Sequence, residues 1–495
     1  MRERDSGASI PETASLGRAA GAAIRWRGAG LVGSKTLGML RSVVLAWLLL
    51  PDDFGLFAIA ILPLDMLLGA TDVGMLLALV QKRDLDARDL DVAWTVGVLR
   101  ALLVCLVLVA FAPFVAALLG DARATNIIRL IALRPLIAAL ASIRLAQLER
   151  DLQFRSLAAV DLVSAAVQTI LTLSLAASLG VWAMVAGLLG GAIAGVLTSY
   201  WQAPYRPRII FDRGRASTLL RFGRWVLIAS VVAMFGEGLL VAAITRLAGT
   251  AELGRYALAA SIALTPAAMV GSLISGVAFA THARVVADDL QVARVFRSSI
   301  VAMMVLVVPA YAMLFVLAPT FVARTLDARW AGLSPVIRIL AGAGVAGLVL
   351  DGTTAMLGGG GRPRASALLV LTFATVVGLT AWTLTSRFGI QGAAAARVAA
   401  DVATVIVAAL VARSVVRISV RGLVLPCVVV LIASSAGAIA ARLSIPYSPA
   451  AWWLVLSGGV GVTCVAVTLF GLDHWLGGGI RRDAIYVLSR RHGSA

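Results

Sequence analysis

GSKTLGMLRSVV, residues 33–44, sets Lys35 and Arg41 inside an otherwise apolar run. A cation at the centre of a bilayer costs about 2.5 to 3.5 kcal/mol on insertion scales, so it must face an acidic side chain, a water-filled cavity or an anionic ligand. On a helix, Gly30, Ser34, Lys35, Gly38, Arg41 and Ser42 fall within one arc of roughly 140°, and Val32, Thr36, Met39, Leu40, Val43 and Val44 cover the remainder. The chemistry open to that arc is anion binding. Arg offers a planar fork of donors that fits a phosphate, and Lys offers a mobile point charge.

Two readings of these charges stand side by side. In the structural one, Asp65 and Asp72 lie seven residues apart on one face of the next apolar run. With ~1.5 Å rise per residue in an antiparallel hairpin, Arg41 comes level with Asp65, and Lys35 with Asp72 to within about a turn. Arg397 and Asp401, spaced i and i+4, can pair within one helix. In the functional reading, the number of charges matters. Lys35, Arg41, Arg100, Arg134, Arg338 and Arg397 stand against Asp65, Asp72, Glu237, Asp351 and Asp401 over both halves of the chain, as the wall of a hydrated cavity would require. Glu237, between Gly236 and Gly238, is either a counter-charge or a group whose protonation is coupled to a cycle.

The elements that must hold these residues are membrane helices. The 495-residue chain is 60% hydrophobic and 14% charged, with mean hydropathy +0.96, whereas soluble proteins are about half apolar and a quarter charged. Apolar runs of about 20 residues recur along it. Alternating strand patterns are absent, which excludes a barrel. The expected fold is all-α and polytopic, with about fourteen helices near residues 28–50, 54–80, 92–119, 126–146, 157–178, 182–202, 222–247, 253–280, 298–318, 332–357, 366–386, 389–412, 420–441 and 449–472. The polar N-terminal tail carries no removable signal pattern, so the first span is expected to direct insertion. Cys105, Cys427 and Cys464 fall in spans without metal-ligand spacing, and neither a metal nor a cofactor is expected.

Net charge is +18, and its distribution argues for membrane topology rather than nucleic acid. The tails and even-numbered loops hold most of the Lys and Arg, which places them and both termini in the cytoplasm. The basic stretch from Arg206 to Arg224 then reads as an anchor against anionic lipid.

The chain is also duplicated. LPDDFGLFAIA (50–60) is echoed by GTAELGRYALA (249–259), pairing Gly55 with Gly254 and Phe57 with Tyr256. Under the same offset Arg25-Trp26 falls on Arg224-Trp225, and Glu237 falls on Gly38. A second echo joins 155–180 to 364–389. Six spans per half make the copies parallel, and two such bundles form lobes that rock around a midplane site. The expected division is a tail (1–27), an N-terminal lobe (28–221), a C-terminal lobe (222–418), two appended helices (419–472) and a second tail (473–495). Pro135, Pro266 and Pro309 are candidate kinks. GGGGRPR (358–364) lacks the Lys-Ser/Thr of a phosphate loop and reads as a turn.

Residues 38–94 contain an Arg ahead of a Leu-Leu-x-Pro turn, then Asp-Phe-Gly, a later Asp-x-Gly, and Leu-Val-Gln before a charged stretch; LERDLQFRSLA (148–158) adds an acid-Arg-x-x-x-Phe-Arg segment. Together these resemble the Wzx-like polysaccharide-repeat flippases of the multidrug/oligosaccharidyl-lipid/polysaccharide exporter superfamily. The resemblance implies export of an undecaprenyl-diphosphate-linked oligosaccharide across the bacterial inner membrane by alternating access, for exopolysaccharide, capsule or O-antigen assembly. It implies membrane lipids as partners, and with them the polymerase and co-polymerase of the same pathway. Carried over by position, Lys35 and Arg41 with Ser34 are the first candidates to hold the diphosphate, followed by Arg134, Arg338 and Arg397. Asp65, Asp72, Glu237 and Asp401 are candidates for ion coupling or counter-charge. A drug antiporter of the same superfamily is the nearest rival, and would favour an acidic, aromatic pocket. A membrane glycosyltransferase or polymer ligase would want paired carboxylates or a His on an outward loop, where Asp121, Glu252 and Asp327 stand singly. The expectation is therefore a transporter rather than an enzyme.

Overall fold

The computed structural model describes residues 11–71, 86–150, 153–210, 212, 224–285, 289–359, 363–415 and 420–443, with 459, 462–465, 467 and 468. Asp72, the anchor stretch beyond 212, the glycine-rich turn and most of the last expected span lie outside them. The helices are α1 (Pro11–Leu48), α2 (Pro51–Thr71), α3 (Ala87–Leu119), α4 (Thr125–Ile131), α5 (Leu133–Ala139), α6 (Leu145–Arg150), α7 (Phe154–Leu179), α8 (Val181–Gln202), α9 (Arg224–Ala248), α10 (Thr250–Val285), α11 (Asp289–Thr325), α12 (Leu333–Gly359), α13 (Pro363–Val415) and α14 (Val420–Leu443). Nine helices among the described residues are long and apolar enough to cross a membrane.

Helix α1 starts well before the expected span. It begins at Pro11, a residue suited to a first helical position, and runs without a break through the Ala-rich tail. The expected fourth span is instead divided into α4, α5 and α6. Pro135 supplies the reason, because its ring clashes with the carbonyl four residues earlier, and α4 ends at that residue, Ile131.

Helices α1 to α8 lie in the first sequence repeat, the first lobe, and α9 to α13 in the second, while α14 packs on α11. Helix α2 of the first lobe packs against α9 and α10 of the second. Two pairs of glycines display the duplication in three dimensions. Gly180, between α7 and α8, has φ +57° and ψ −131°. Its counterpart Gly389, which divides α13 into two halves, has φ +56° and ψ −139°. This left-handed geometry is open to glycine and strained for other residues, so the same hairpin is built twice.

The second pair sits where the lobes cross. A β-carbon on Gly55 would stand 1.9 Å from the Thr250 carbonyl oxygen, and one on Gly254 would stand 1.7 Å from that of Pro51. Pro51 and Thr250 are themselves related by the repeat offset. One contact is therefore repeated about a two-fold axis, and only glycine lets α2 and α10 approach so closely.

Candidate functional site

The crossing of α2 and α10 is the centre of a sealed end. Trp330, with 0% exposure, donates its indole N–H to the Ala46 carbonyl at 2.7 Å and meets Phe54 edge to face at 5.2 Å. Trp47 returns the contact by donating to the Thr325 carbonyl, and Arg329 donates to the Trp47 carbonyl at 3.1 Å. On the other flank, Arg246 of α9 donates to the carbonyls of Ala117 and Leu118 at the end of α3. Thr250 donates to Asp121 at 2.7 Å.

Asp121 and Asp327 belong to a third echo, DARA (121–124) and DARW (327–330), which sequence reasoning missed. Each Asp opens a 3-10 turn and pairs with the Arg two residues on. Arg123 also grips Asp52 at the start of α2 at 2.8 Å. Burial alone would raise the Asp121 carboxyl, but hydrogen bonds from Arg123 and Thr250 outweigh it and hold it below the usual carboxylate range. The signal that exposes it is the repeated Asp-Ala-Arg triplet.

Below this seal, the charged residues fall into two groups. In the first lobe Lys35 and Asp65 are exposed and Arg134 is half-buried. The charges of both Arg134 and Lys35 act on the Asp65 carboxylate, although neither pairs with it within 4 Å. Lys35, rather than Arg41, is thus the α1 residue level with Asp65. The turn between α1 and α2 lies at residues 49 and 50, so Lys35 and Asp65 are each about 20 Å along their helices from it, and Arg41 only about 10 Å. The expected Arg41–Asp65 alignment is therefore corrected. Arg41 forms no ion pair among the described residues. It shares a helical face with Gly30, which packs on Ala158 of α7. Ser34 donates to the Leu31 carbonyl of its own helix, and Gly38 borders open space.

In the second lobe Arg397 binds two carboxylates at once. It donates to Glu237 at 2.6 Å and to Asp401 at 3.1 Å, and its guanidinium lies 4.9 Å from the centre of the Phe373 ring. The i, i+4 pairing of Arg397 with Asp401 forms as the spacing predicts, with Glu237 added from α9. Asp401 is 7% exposed and Glu237 34%. Tyr256 is buried nearby, within reach of all three charges. The groups meet at the lobe boundary, where a β-carbon on Gly238 would stand 3.8 Å from the Met66 methyl; these are the residues next to Glu237 and Asp65. Arg338 joins neither group. Its Nε donates to the Phe315 carbonyl at 2.9 Å, and its guanidinium stacks 5.0 Å from that ring.

The architecture and the sequence can now be compared with known proteins. The polysaccharide biosynthesis protein family matches residues 44–335, more than half of the chain. The chain belongs to this family. Among its relatives is the succinoglycan biosynthesis transport protein ExoT of Rhizobium meliloti, 25% identical over 64% of this chain and 65% of that protein. The lipopolysaccharide biosynthesis protein WzxC of Escherichia coli is 22% identical over 61% of this chain and 62% of its own length. The chain thus spans just under two thirds of the length of these relatives. In fold it is similar to the lipid II flippase MurJ in an inward closed conformation, with TM-score 0.72 at 13% identity over 91% of this chain and 99% of that one. An inward-facing multidrug transporter of the MATE family within the MOP superfamily has TM-score 0.64 at 16% identity, over 77% and 94%. The family member described here has this transporter fold.

Proposed function

We propose that the chain is a flippase that carries an undecaprenyl-diphosphate-linked oligosaccharide from the inner to the outer leaflet of a bacterial cytoplasmic membrane. The distribution of Lys and Arg supports cytoplasmic termini, because the sealed end carries the loops poor in cations. The conformer is then closed outward, the state in which a cytoplasmic headgroup loads.

The observation that carries this reading is the division of charge between lobes. Among the described residues Lys35 and Arg134 outnumber their acidic neighbour, Asp65, and keep donors free for a diphosphate. Arg397 is already held by two carboxylates, so it serves to fasten α9 to α13, with Glu237 and Asp401 as counter-charges. Arg41 and Ser34 lie on the same helix as Lys35 and extend its reach, and Arg338 takes no part in this loading surface. The antiporter alternative wants an acidic pocket open to a cationic drug, and Arg397 occupies the Glu237 and Asp401 carboxylates. The transporter acts without covalent chemistry on its cargo, and the pathway polymerase is the partner that consumes it.

The test is export of polymer in a strain that depends on this chain, compared with the amount of the chain in the membrane. Lys35→Ala combined with Arg134→Ala should abolish export while abundance stays at the wild-type level. Export at the wild-type rate would sink the assignment, and lost abundance would show that these cations hold the fold.

A further inference from the structure

At the end of the first lobe opposite the seal, an open cavity of about 610 Å³ lies among Leu90, Asp91, Arg144, Tyr200, Tyr205 and the arginines 206 and 208. It is remote from the charge groups at the lobe boundary, and the transport reading leaves it unused. We propose that this cavity is a binding site for the phosphate headgroup of an anionic glycerophospholipid. The proposal uses the membrane orientation given above only to name the leaflet, which is the cytoplasmic one.

Three observations carry it. First, the cavity is built by an ordered segment. After α8 the chain has no regular structure, yet residues 203–210 are fastened along their length. Ser142 donates to the Ala203 carbonyl at 2.6 Å and Arg144 to that of Pro204 at 3.0 Å. Further on, the Ile210 N–H donates to the Thr95 hydroxyl at 3.1 Å, and the Ile210 side chain packs on Val92 and Val96.

Second, among the described residues the cations lack carboxylate partners, with Arg206 and Arg208 unspent and Arg144 using one N–H on the Pro204 carbonyl. Arg144, Arg206 and Arg208 are exposed and form no ion pair among the described residues. The acid at the site, Asp91, is 8% exposed and accepts the Tyr205 hydroxyl. Burial first, and the Asp91 carboxylate second, push the Tyr205 phenol up, so that it stays a donor to Asp91 and leaves the Arg206 and Arg208 forks, with the remaining donors of Arg144, to other acceptors. Forks of this kind take phosphate oxygens two at a time.

Third, the cavity opens where lipid lies. Ile193, Leu197 and Trp201 form an i, i+4, i+8 stripe on α8 that is 47%, 66% and 82% exposed, and Ile209 beside the arginines is 84% exposed. Such a stripe, ending in a Trp, marks an acyl-facing surface that reaches the headgroup level beside the cavity. A soluble phosphate would have no use for it, and this favours a lipid.

The experiment is native mass spectrometry of the full chain in detergent, titrated with phosphatidylglycerol and separately with phosphatidylcholine. Wild type should retain phosphatidylglycerol and not phosphatidylcholine. Arg206→Gln combined with Arg208→Gln should weaken retention at least tenfold, since each near-surface Arg is worth roughly fivefold. The charge-matched control, Arg387→Gln combined with Arg413→Gln, removes two exposed arginines of α13 and should leave retention unchanged. Arg144→Lys keeps the charge but loses the fork, and should weaken retention severalfold. Equal retention of both lipids, or full retention by the double variant or by Arg144→Lys, would overturn a built site in favour of diffuse attraction. Displacement of phosphatidylglycerol by equimolar inorganic phosphate would overturn the lipid assignment.

Discussion

At Arg397 one side chain joins three helical segments, because Glu237 comes from α9, Phe373 from the first half of α13 and Asp401 from the second. Removing the cation leaves two carboxylates facing each other in a mostly buried setting, and breaking a buried pair in this way costs about 3 to 5 kcal/mol. Arg397→Met should therefore lower the melting temperature of the purified chain markedly. Adding Glu237→Gln and Asp401→Asn should restore most of the loss, and a single variant as stable as wild type would show that the triad does not fasten α9 to α13. Asp121 answers a different question at the same scale. Its folded carboxyl titrates below the ordinary range, so the stability it lends the sealed end is complete above about pH 4 and is lost only as pH falls through the depressed value. Closure of the sealed end should accordingly be constant between roughly pH 5 and pH 8. Asp121→Asn should loosen it throughout that range. The measurement is alkylation of a cysteine placed at Ala46, in a background without Cys427 and Cys464, by a membrane-impermeant maleimide. Closure that loosens already at mildly acidic pH would contradict the assignment of Asp121.

The elements show which parts of the architecture a sequence can expose. Both glycine pairs were visible as echoes at fixed offsets, because a residue demanded by backbone geometry has few substitutes and survives in both copies. The fourth span was misread as continuous for a related reason, since hydropathy is blind to the clash of the Pro135 ring that ends α4 at Ile131. Register within the first hairpin also differs from the expectation. The apolar pattern locates a span but leaves the turn uncertain by several residues, enough to exchange Arg41 for Lys35 opposite Asp65. The close crossing of α2 and α10 carries its own prediction. In Gly254→Ala the new methyl meets the backbone of Pro51, which cannot turn aside as a side chain can. Overpacking of this kind costs about 1 to 3 kcal/mol, or roughly a five- to 150-fold rise in the population opened at that end. Alkylation of the Ala46→Cys probe should accelerate to match, and Gly55→Ala, its symmetry partner, should do the same. Unchanged protection in both variants would mean that the seal rests on Trp330 and the Asp-Ala-Arg turns alone.

For the molecule as a whole, the two lobes share a backbone plan and differ in charge. Glu237 falls on Gly38 under the repeat, so the acidic group of the second lobe has no copy in the first, where Lys35 and Arg134 gather around Asp65. Composition made the all-helical membrane fold legible, and duplication the paired glycine contacts. The division of charge was not, because it depends on which helices meet across the bundle, and a list of intramembrane charges carries no such pairing. Its consequence is electrical. Under the proposed flippase function, if the cations of the first lobe are fixed to the protein frame while the cargo moves past them, each cycle carries the headgroup's negative charge outward alone. An inside-negative potential then favours export by ~2.3 kcal/mol per charge per 100 mV, roughly fiftyfold in the leaflet distribution. In inverted vesicles holding the purified chain and a polyprenyl-diphosphate-linked sugar, an imposed lumen-positive potential should drive the sugar toward the lumenal leaflet. Collapsing the potential with valinomycin and potassium should abolish that bias without changing the protein. A distribution indifferent to potential would mean that a co-transported cation, or the protein's own Lys35 and Arg134, crosses the field together with the cargo.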